Sequence, residues 1–268
     1  MSKVQLSSRF VIGLLLGTGS ALVAAFVLVP AALLRGTDGA FSDEPALRGA
    51  VGRGLVEYWR GGGAEFPALL AKLVDYWFRW HAIKVVISVL MVMVFALLAV
   101  ALWRRYLHAA ARYAVGAIGA TVFTILATGL LILNIQATAV PLVALLPLLD
   151  GGASGGELAQ TLREMREGLT ESASPHASSP ALTVLLGEVE RYHWVMVAMA
   201  ATAMAVTGLA SASLRRRRVA DDSRVRFMRR TLRVIMALTA SLLVLVAAAS
   251  ALSATEPTSA LLAVIDVS

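Results

Sequence analysis

The chain has 268 residues, of which 58% are hydrophobic and only 15% are charged, and its formal net charge is +7. Soluble domains carry about 25% charged residues, so this composition excludes a water-soluble globular protein and predicts a membrane protein. The chain has no cysteine, which excludes disulfide bonds, thiolate metal sites and cysteine nucleophiles.

Five uncharged apolar runs follow one another along the chain, and each is long enough to cross a bilayer as a helix, for which about 20 residues suffice. No run alternates apolar and polar residues as barrel strands do, so the predicted fold class is all-α and polytopic, with five transmembrane helices. The first run continues past Val23-Ala24-Ala25, which resembles a signal-peptide cleavage site, so we expect an uncleaved first helix. The runs are Phe10–Leu34, Val85–Trp103, Tyr113 to about Gln136, Tyr192–Leu214 and Val234 to about Thr255.

These spans belong to a unit that occurs about two and a half times. The first copy begins with RFVIG at Arg9 and the second with RYAVG at Arg112, and each copy holds two spans joined by a long loop. Because two is an even number of crossings, the copies share one orientation, which is a parallel duplication. The predicted segments are two full repeats, 1–108 and 109–230, and a half repeat, 231–268, that ends in a short C-terminal hook.

An amphipathic helix is predicted before the second span and before the fourth, over Pro67–His81 and Pro180–His193. Apolar residues recur at helical spacing in both, with Leu73 and Leu185 in equivalent places. We expect these helices to lie on the outer membrane interface, to continue into the spans, and to hold four aromatic residues at headgroup depth. The four residues are Trp77, Trp80, Tyr192 and Trp194.

The remaining loop sequence, 35–63 and 151–179, is rich in glycine, serine and charge, and the only helix predicted there covers Leu158–Leu169. The loops also differ in charge. The side that holds the N-terminus and the two short loops carries 14 basic and 2 acidic residues, or +12, whereas the other side carries 10 basic and 15 acidic residues, or −5.

Basic loops stay in the cytoplasm, so this split predicts an inside N-terminus and an outside C-terminus. Together with a composition dominated by Ala, Gly, Leu, Val and Arg, it indicates the cytoplasmic membrane of a bacterium. The run Arg215, Arg216, Arg217 and Arg218 is interpreted as a topology anchor that also contacts anionic lipid. The basic loop has a single aromatic residue, Phe227, so no nucleic-acid partner is expected.

His81 and His193 occupy equivalent positions of the two repeats. Two imidazoles on facing helices can ligate a haem iron, which makes haem the alternative cofactor prediction. An interfacial histidine that caps a helix or bonds a headgroup is the favoured interpretation, so no cofactor is expected. Asn134, Gln136 and Thr138, near the outer end of the third span, are predicted to bond between helices.

No catalytic motif occurs in the sequence, and no charged residue lies within a span. The preferred function is therefore an integral subunit or scaffold of a membrane assembly, which presents its duplicated outer face to a partner. The expected partners are the lipid bilayer and a membrane or extracytoplasmic protein, in a homo- or hetero-oligomer. The alternatives are a permeation component for small molecules or lipids, and a haem-binding redox anchor.

Overall fold

The computed structural model describes residues 3–35, 41, 43–149, 156–171, 179–216 and 222–267. Nearly all of these residues are helical and none is in a strand, which confirms the all-α class. Five of the helices (α1, α3, α4, α7 and α8 in the list below) are long and apolar enough to cross a membrane, as predicted. In chain order the helices are α1 (Lys3–Leu34), α2 (Glu44–Gly61), α3 (Ala68–His108), α4 (Tyr113–Ala139), α5 (Pro141–Leu145), a 3-10 helix (Leu146–Leu149), α6 (Glu157–Thr170), α7 (Pro180–Arg216), α8 (Ser223–Thr255) and α9 (Pro257–Val267).

The two amphipathic segments continue without a break into the spans that follow them. Helix α3 has 41 residues and α7 has 37, which at about 1.5 Å per residue makes each much longer than the hydrocarbon core. Each helix therefore combines a spanning part with an extension beyond it, and the predicted continuity is confirmed.

The described residues pack into two compact units, and all three predicted repeat segments contribute to both. The span unit comprises Met1–Pro30, Ile83–Leu133 and Met199–Ala247. The loop unit comprises Ala31–Ala82, Asn134–Ala198 and Ala248–Ser268. The predicted candidate residues of the amphipathic segments all belong to the loop unit, and the predicted arginine anchor belongs to the span unit.

In the span unit, one face of α3 forms the centre of the core. Its large side chains pack on the small residues Ala117, Ala120 and Ala127 of α4, because small residues let two helices approach closely. The rings of Phe95 and Phe123 stack with centroids 5.3 Å apart. In the 18-residue apolar stretch of each spanning helix, 39% of the residues are buried in α3 but only 6% in α1 and 6% in α8. Helices α1 and α8 therefore offer mostly apolar surface to lipid.

The loop unit has a core organised around α2, a helix that the sequence analysis did not predict. The side chains of Leu47, Val51, Leu55 and Tyr58, spaced as successive turns of a helix, are buried. Pro45 lies in the first turn, and Gly62 ends the helix in a left-handed conformation with φ of 61°. The expectation of an irregular segment over 35–63 was therefore wrong for most of its length.

Burial of this stripe explains why a glycine-rich segment is helical. Glycine lowers helix propensity by about 1 kcal/mol per residue, but packing of an apolar face contributes more to helix stability in proteins. At Gly54 the two helices are close, since an added Cβ would be in van der Waals contact with Leu73 Cδ1, at 3.4 Å, and with Leu70 Cα, at 3.5 Å. The glycine thus lets α2 pack directly on the first part of α3.

Contacts in the loop unit join the first long loop, the second long loop and the C-terminal segment. Helix α2 packs against α6 and the 3-10 helix, and α6 packs against α9. Between α2 and α6, Trp59 Nε1 donates to Glu164 Oε2 at 3.2 Å. Between α6 and α9, Arg166 Nε donates to Asp266 Oδ1 at 2.9 Å. The predicted helix Leu158–Leu169 is confirmed as α6, and the two long loops and the C-terminal segment form one body.

Candidate functional site

Each of the two predicted histidines has a contact within its own helix. His81 Nδ1 lies 3.0 Å from the carbonyl oxygen of Trp77, one turn earlier in α3, and the His81 ring centroid is 4.7 Å from that of Trp77. The His193 ring packs edge-on against Tyr192, with centroids 5.6 Å apart. Neither contact joins the two histidines, and the haem alternative stays a prediction.

The four predicted interfacial aromatic residues lie in the loop unit with different exposure. Trp77, Trp80 and Tyr192 are half-buried, whereas the Trp194 side chain is 46% exposed and its Nε1 donates to Glu190 at 3.3 Å. Trp80 packs near Tyr76, with ring centroids 6.0 Å apart. These positions are compatible with headgroup depth for Trp194, while the other three rings are also part of the protein's own packing.

The apolar stripes of the two amphipathic segments are covered by protein. Leu73 and Leu185, which the sequence analysis placed at equivalent positions, are both 0% exposed. On α3 the stripe packs against α2 at Gly54. These stripes therefore stabilise the loop unit itself, which a lipid-facing stripe would not do.

The predicted arginine anchor lies at the end of α7. Arg215 and Arg216 are the last two residues of that helix, and Arg217 and Arg218 lie outside the described residues. Their role as topology and lipid anchors stays a prediction.

Polar bonds join the C-terminal end of α4 to the first half of α7 within the loop unit. Gln136 Nε2 donates to the carbonyl oxygen of Tyr192 at 3.1 Å, and Arg191 Nη2 donates to the carbonyl oxygen of Ala139 at 2.7 Å. Arg191 thereby satisfies one of the carbonyl groups that the end of α4 leaves without a helical partner. Helix-to-helix bonding, predicted for the polar residues of this region, is confirmed at Gln136, while Thr138 bonds within α4 to Asn134.

A groove of about 770 Å³ in the loop unit was missed by the sequence analysis. It lies between α2, the 3-10 helix and α6. Its apolar walls include Val56 and Leu158, and two glycines of α2 leave its floor without side chains. An added Cβ at Gly52 would lie 3.1 Å from Leu158 Cδ2, whereas at Gly49 the only atom within 4 Å would be Arg53 Nη1, at 3.4 Å.

Three arginines of α2 line this groove and differ in their partners. Arg48 bonds to Glu44 at 2.6 Å, and Arg60 bonds to Glu157 at 3.2 Å. Arg53 has no ion-pair or hydrogen-bond partner in the part of the chain that the structure describes. The groove therefore combines apolar walls with exposed charges of both signs, Arg53 and, one turn further along α2, Glu57. A second stripe along α2, formed by Pro45, Gly49, Gly52, Val56 and Arg60, is the sequence signal that could have revealed it.

Comparisons with protein-family models, with curated proteins and with solved structures found no match to this chain.

Proposed function

We propose that this protein is an integral subunit or scaffold of a membrane assembly, and that its loop unit docks a segment of a partner protein. The groove of the loop unit is the observation that carries the proposal. Apolar walls beside Arg53 and Glu57 are complementary to a peptide segment that offers apolar side chains flanked by polar or charged groups. The body around the groove is preorganised by the buried stripe of α2, so little ordering entropy is lost on binding.

The spanning helices support the same proposal. In the 18-residue apolar stretches of α1, α7 and α8, only 6%, 11% and 6% of the residues are buried. This leaves wide apolar faces for lipid and for helices of a partner. The recorded contacts of Gln136 and Thr138 are with helix backbone, as expected for structural rather than permeation roles.

The proposal includes a parallel duplication of the loop-and-span unit. Burial supports it at equivalent positions 112 residues apart: Leu70 and Leu182 are 1% and 2% exposed, and Ser88 and Ala200 are both 0% exposed. The shared apolar stripe thus has the same buried role in both copies. The same proposal includes contact of the remaining surface of these helices with the membrane interface, and the exposed Trp194 is its best support.

The proposed orientation puts the loop unit outside a bacterial cytoplasmic membrane and the N-terminus inside. The support is the charge split of +12 against −5 between the two sides. The contacts of α2 with α6 and of α6 with α9 support it, because five crossings would leave both long loops and the C-terminal segment on the same side.

Filling the groove tests the docking role. Gly49→Trp puts a large ring into the groove, and the atom nearest to an added Cβ there is Arg53 Nη1, the flexible end of a side chain, at 3.4 Å. Gly61→Trp is the matched control, because Gly61 is exposed on the same helix, has no atom near an added Cβ and does not line the groove. Both variants should fold, since neither position is in the core.

The measurement is quantitative copurification from native membranes in mild detergent. We expect the wild type and Gly61→Trp to retain the same partner band, and Gly49→Trp to lose most of it. Equal recovery of that partner with all three proteins would show that the groove does not dock it. Purification of the wild type as a lone chain, at the mass of a monomer, would contradict the assembly role as well.

A further inference from the structure

The first part of α8 precedes the apolar run of that helix and is docked on one side. Residues 223–233 form this segment, which extends the span by about 16 Å. Met228 and Leu232 pack against the core of the span unit that is centred on α3. Arg224 Nη1 also donates to the carbonyl oxygen of Tyr106, in α3, at 3.3 Å. These contacts fix how the segment is turned about its own axis.

Two arginines lie away from the docked side of this segment. At about 100° per residue, Arg230 is about 160° around the helix from both Met228 and Leu232. Arg233 follows three residues later on the same side, and both arginines are exposed. Residues three apart on a helix have Cβ atoms about 5–6 Å from each other. Two flexible guanidinium groups at this spacing can reach the same phosphate group.

The positive charge of this arginine pair is not cancelled within the described chain. Neither Arg230 nor Arg233 has a hydrogen bond, ion pair or ring contact with any residue that the structure describes. Asp222 is the only acidic residue among the described residues of the span unit. Its Oδ1 accepts the backbone N–H of Arg224 at 2.9 Å, as a helix cap. The pair therefore presents two positive charges at the start of a spanning helix.

An exposed apolar stripe of α8 continues from the arginine pair on the same side of the helix. Val234, Val244 and Leu245 are 52%, 53% and 67% exposed. Each lies within about 60° of Arg230 around the helix axis. Val244 is about 21 Å along the axis from Arg230, which exceeds the roughly 15 Å of hydrocarbon in one leaflet. A ligand that reaches both features needs an anionic group joined to a long apolar chain.

We propose that Arg230 and Arg233 form a binding site for the phosphate headgroup of an anionic phospholipid, whose acyl chain lies along the Val234–Leu245 stripe of α8. Guanidinium groups form charge-assisted, two-pronged bonds to phosphate, and basic residues next to a spanning helix attract anionic lipid. A soluble phosphate would use the two arginines but not the apolar stripe, so the stripe favours lipid. The site does not depend on the assembly role proposed above.

Native mass spectrometry of the detergent-purified protein, titrated with phosphatidylglycerol, counts the bound lipid. Phosphatidylcholine is the comparison without net charge. The test variant is Arg230→Gln with Arg233→Gln, and the matched control is Lys72→Gln with Arg163→Gln, which removes the same charge from exposed positions of the loop unit. We expect the test variant to bind phosphatidylglycerol at least about tenfold more weakly, and the control to change by less than about twofold.

The two single variants, Arg230→Gln and Arg233→Gln, distinguish a shared phosphate from diffuse attraction. If both guanidinium groups hold one phosphate, either single change should lose most of the affinity that the pair provides. The loss in the double variant should then be well below the product of the two single losses. Single losses that multiply to the double loss would show two independent charges and would overturn the site.

Equal losses in the test pair and the control pair would show attraction by net charge, and would also overturn the site. Equal binding of phosphatidylcholine, or displacement of phosphatidylglycerol by equimolar glycerol phosphate, would overturn the assignment to an anionic lipid. If the glutamine pair fails to fold, Arg230→Lys with Arg233→Lys replaces it. That pair keeps the charge but loses the planar fork, so binding should fall several-fold, and undiminished binding would overturn the site.

Discussion

Replacement of Leu73 by alanine tests whether α2 and α3 form one packed body. The Leu73 side chain is 0% exposed, and it faces α2 at Gly54, where an added Cβ would lie 3.4 Å from Leu73 Cδ1. Leu73→Ala removes three carbons from this contact. The mutation leaves a cavity between two helices whose backbones already approach closely.

Leucine-to-alanine changes in a protein core cost about 2–5 kcal/mol, and the cost is higher where the surroundings cannot collapse. An added Cβ at Gly54 would lie 3.5 Å from Leu70 Cα, so the two backbones are already close and α2 can move little closer to α3. We therefore expect about 3 kcal/mol or more. At 1.4 kcal/mol per tenfold, α2 should open about 100 times more often.

Hydrogen exchange followed by mass spectrometry measures this opening on peptides from 44–61 in the detergent-solubilised protein. Phe78→Ala is the control, because Phe78 lies on the same helix but is 45% exposed, and it should leave exchange in α2 nearly unchanged. Exchange that stays slow in Leu73→Ala would refute the packing argument. So would equal acceleration in both variants, since the apolar stripe would then act no differently from a surface that faces detergent.

Two further predictions concern the pH dependence of stability and the topology. Burial raises the pKa of Tyr58 above its ordinary value of 10.0, and the charge of the Glu188 carboxylate raises it further. Above about pH 10 the folded state still holds the phenol proton that the unfolded state has lost, so this contribution to stability is present below about pH 10 and is lost as the pH rises above it. The melting temperature of Tyr58→Phe should therefore fall less than that of the wild type between about pH 9 and about pH 11. An identical dependence of the melting temperature on pH in the two proteins would contradict the assignment. Reporter tags after Gly63 and after Ser268 should both read extracytoplasmic, and tags on opposite sides would break the five-span arrangement.

The sequence was sufficient for the membrane class and the number of spans, because both depend on local composition. An uncharged apolar run of about 20 residues inserts as a helix whatever its neighbours are, so five such runs predict five spanning helices. The continuity of α3 and α7 and the helix α6 followed from local periodicity in the same way. The bond between Gln136 and α7 was expected because a polar group near the end of a span needs a partner.

Helix α2 was missed because two signals in its sequence conflict. Gly49, Gly52 and Gly54 indicate a loop by propensity, while the stripe from Leu47 to Trp59 indicates a helix by periodicity. Only the burial of that stripe in the loop unit decides between them, because the packing of an apolar face outweighs the low helix propensity of the glycines.

The sequence by itself thus determined which segments cross the membrane, since insertion is governed by the free energy of transferring each run separately. The tertiary structure alone decided what the segments between and beside the spans do. The groove combines Gly49 of α2 with Leu149 and Leu158, and Arg224 of α8 donates to the carbonyl oxygen of Tyr106, 118 residues earlier in the chain. Such sites depend on contacts between distant residues, and local pattern carries no information about which distant residues will meet.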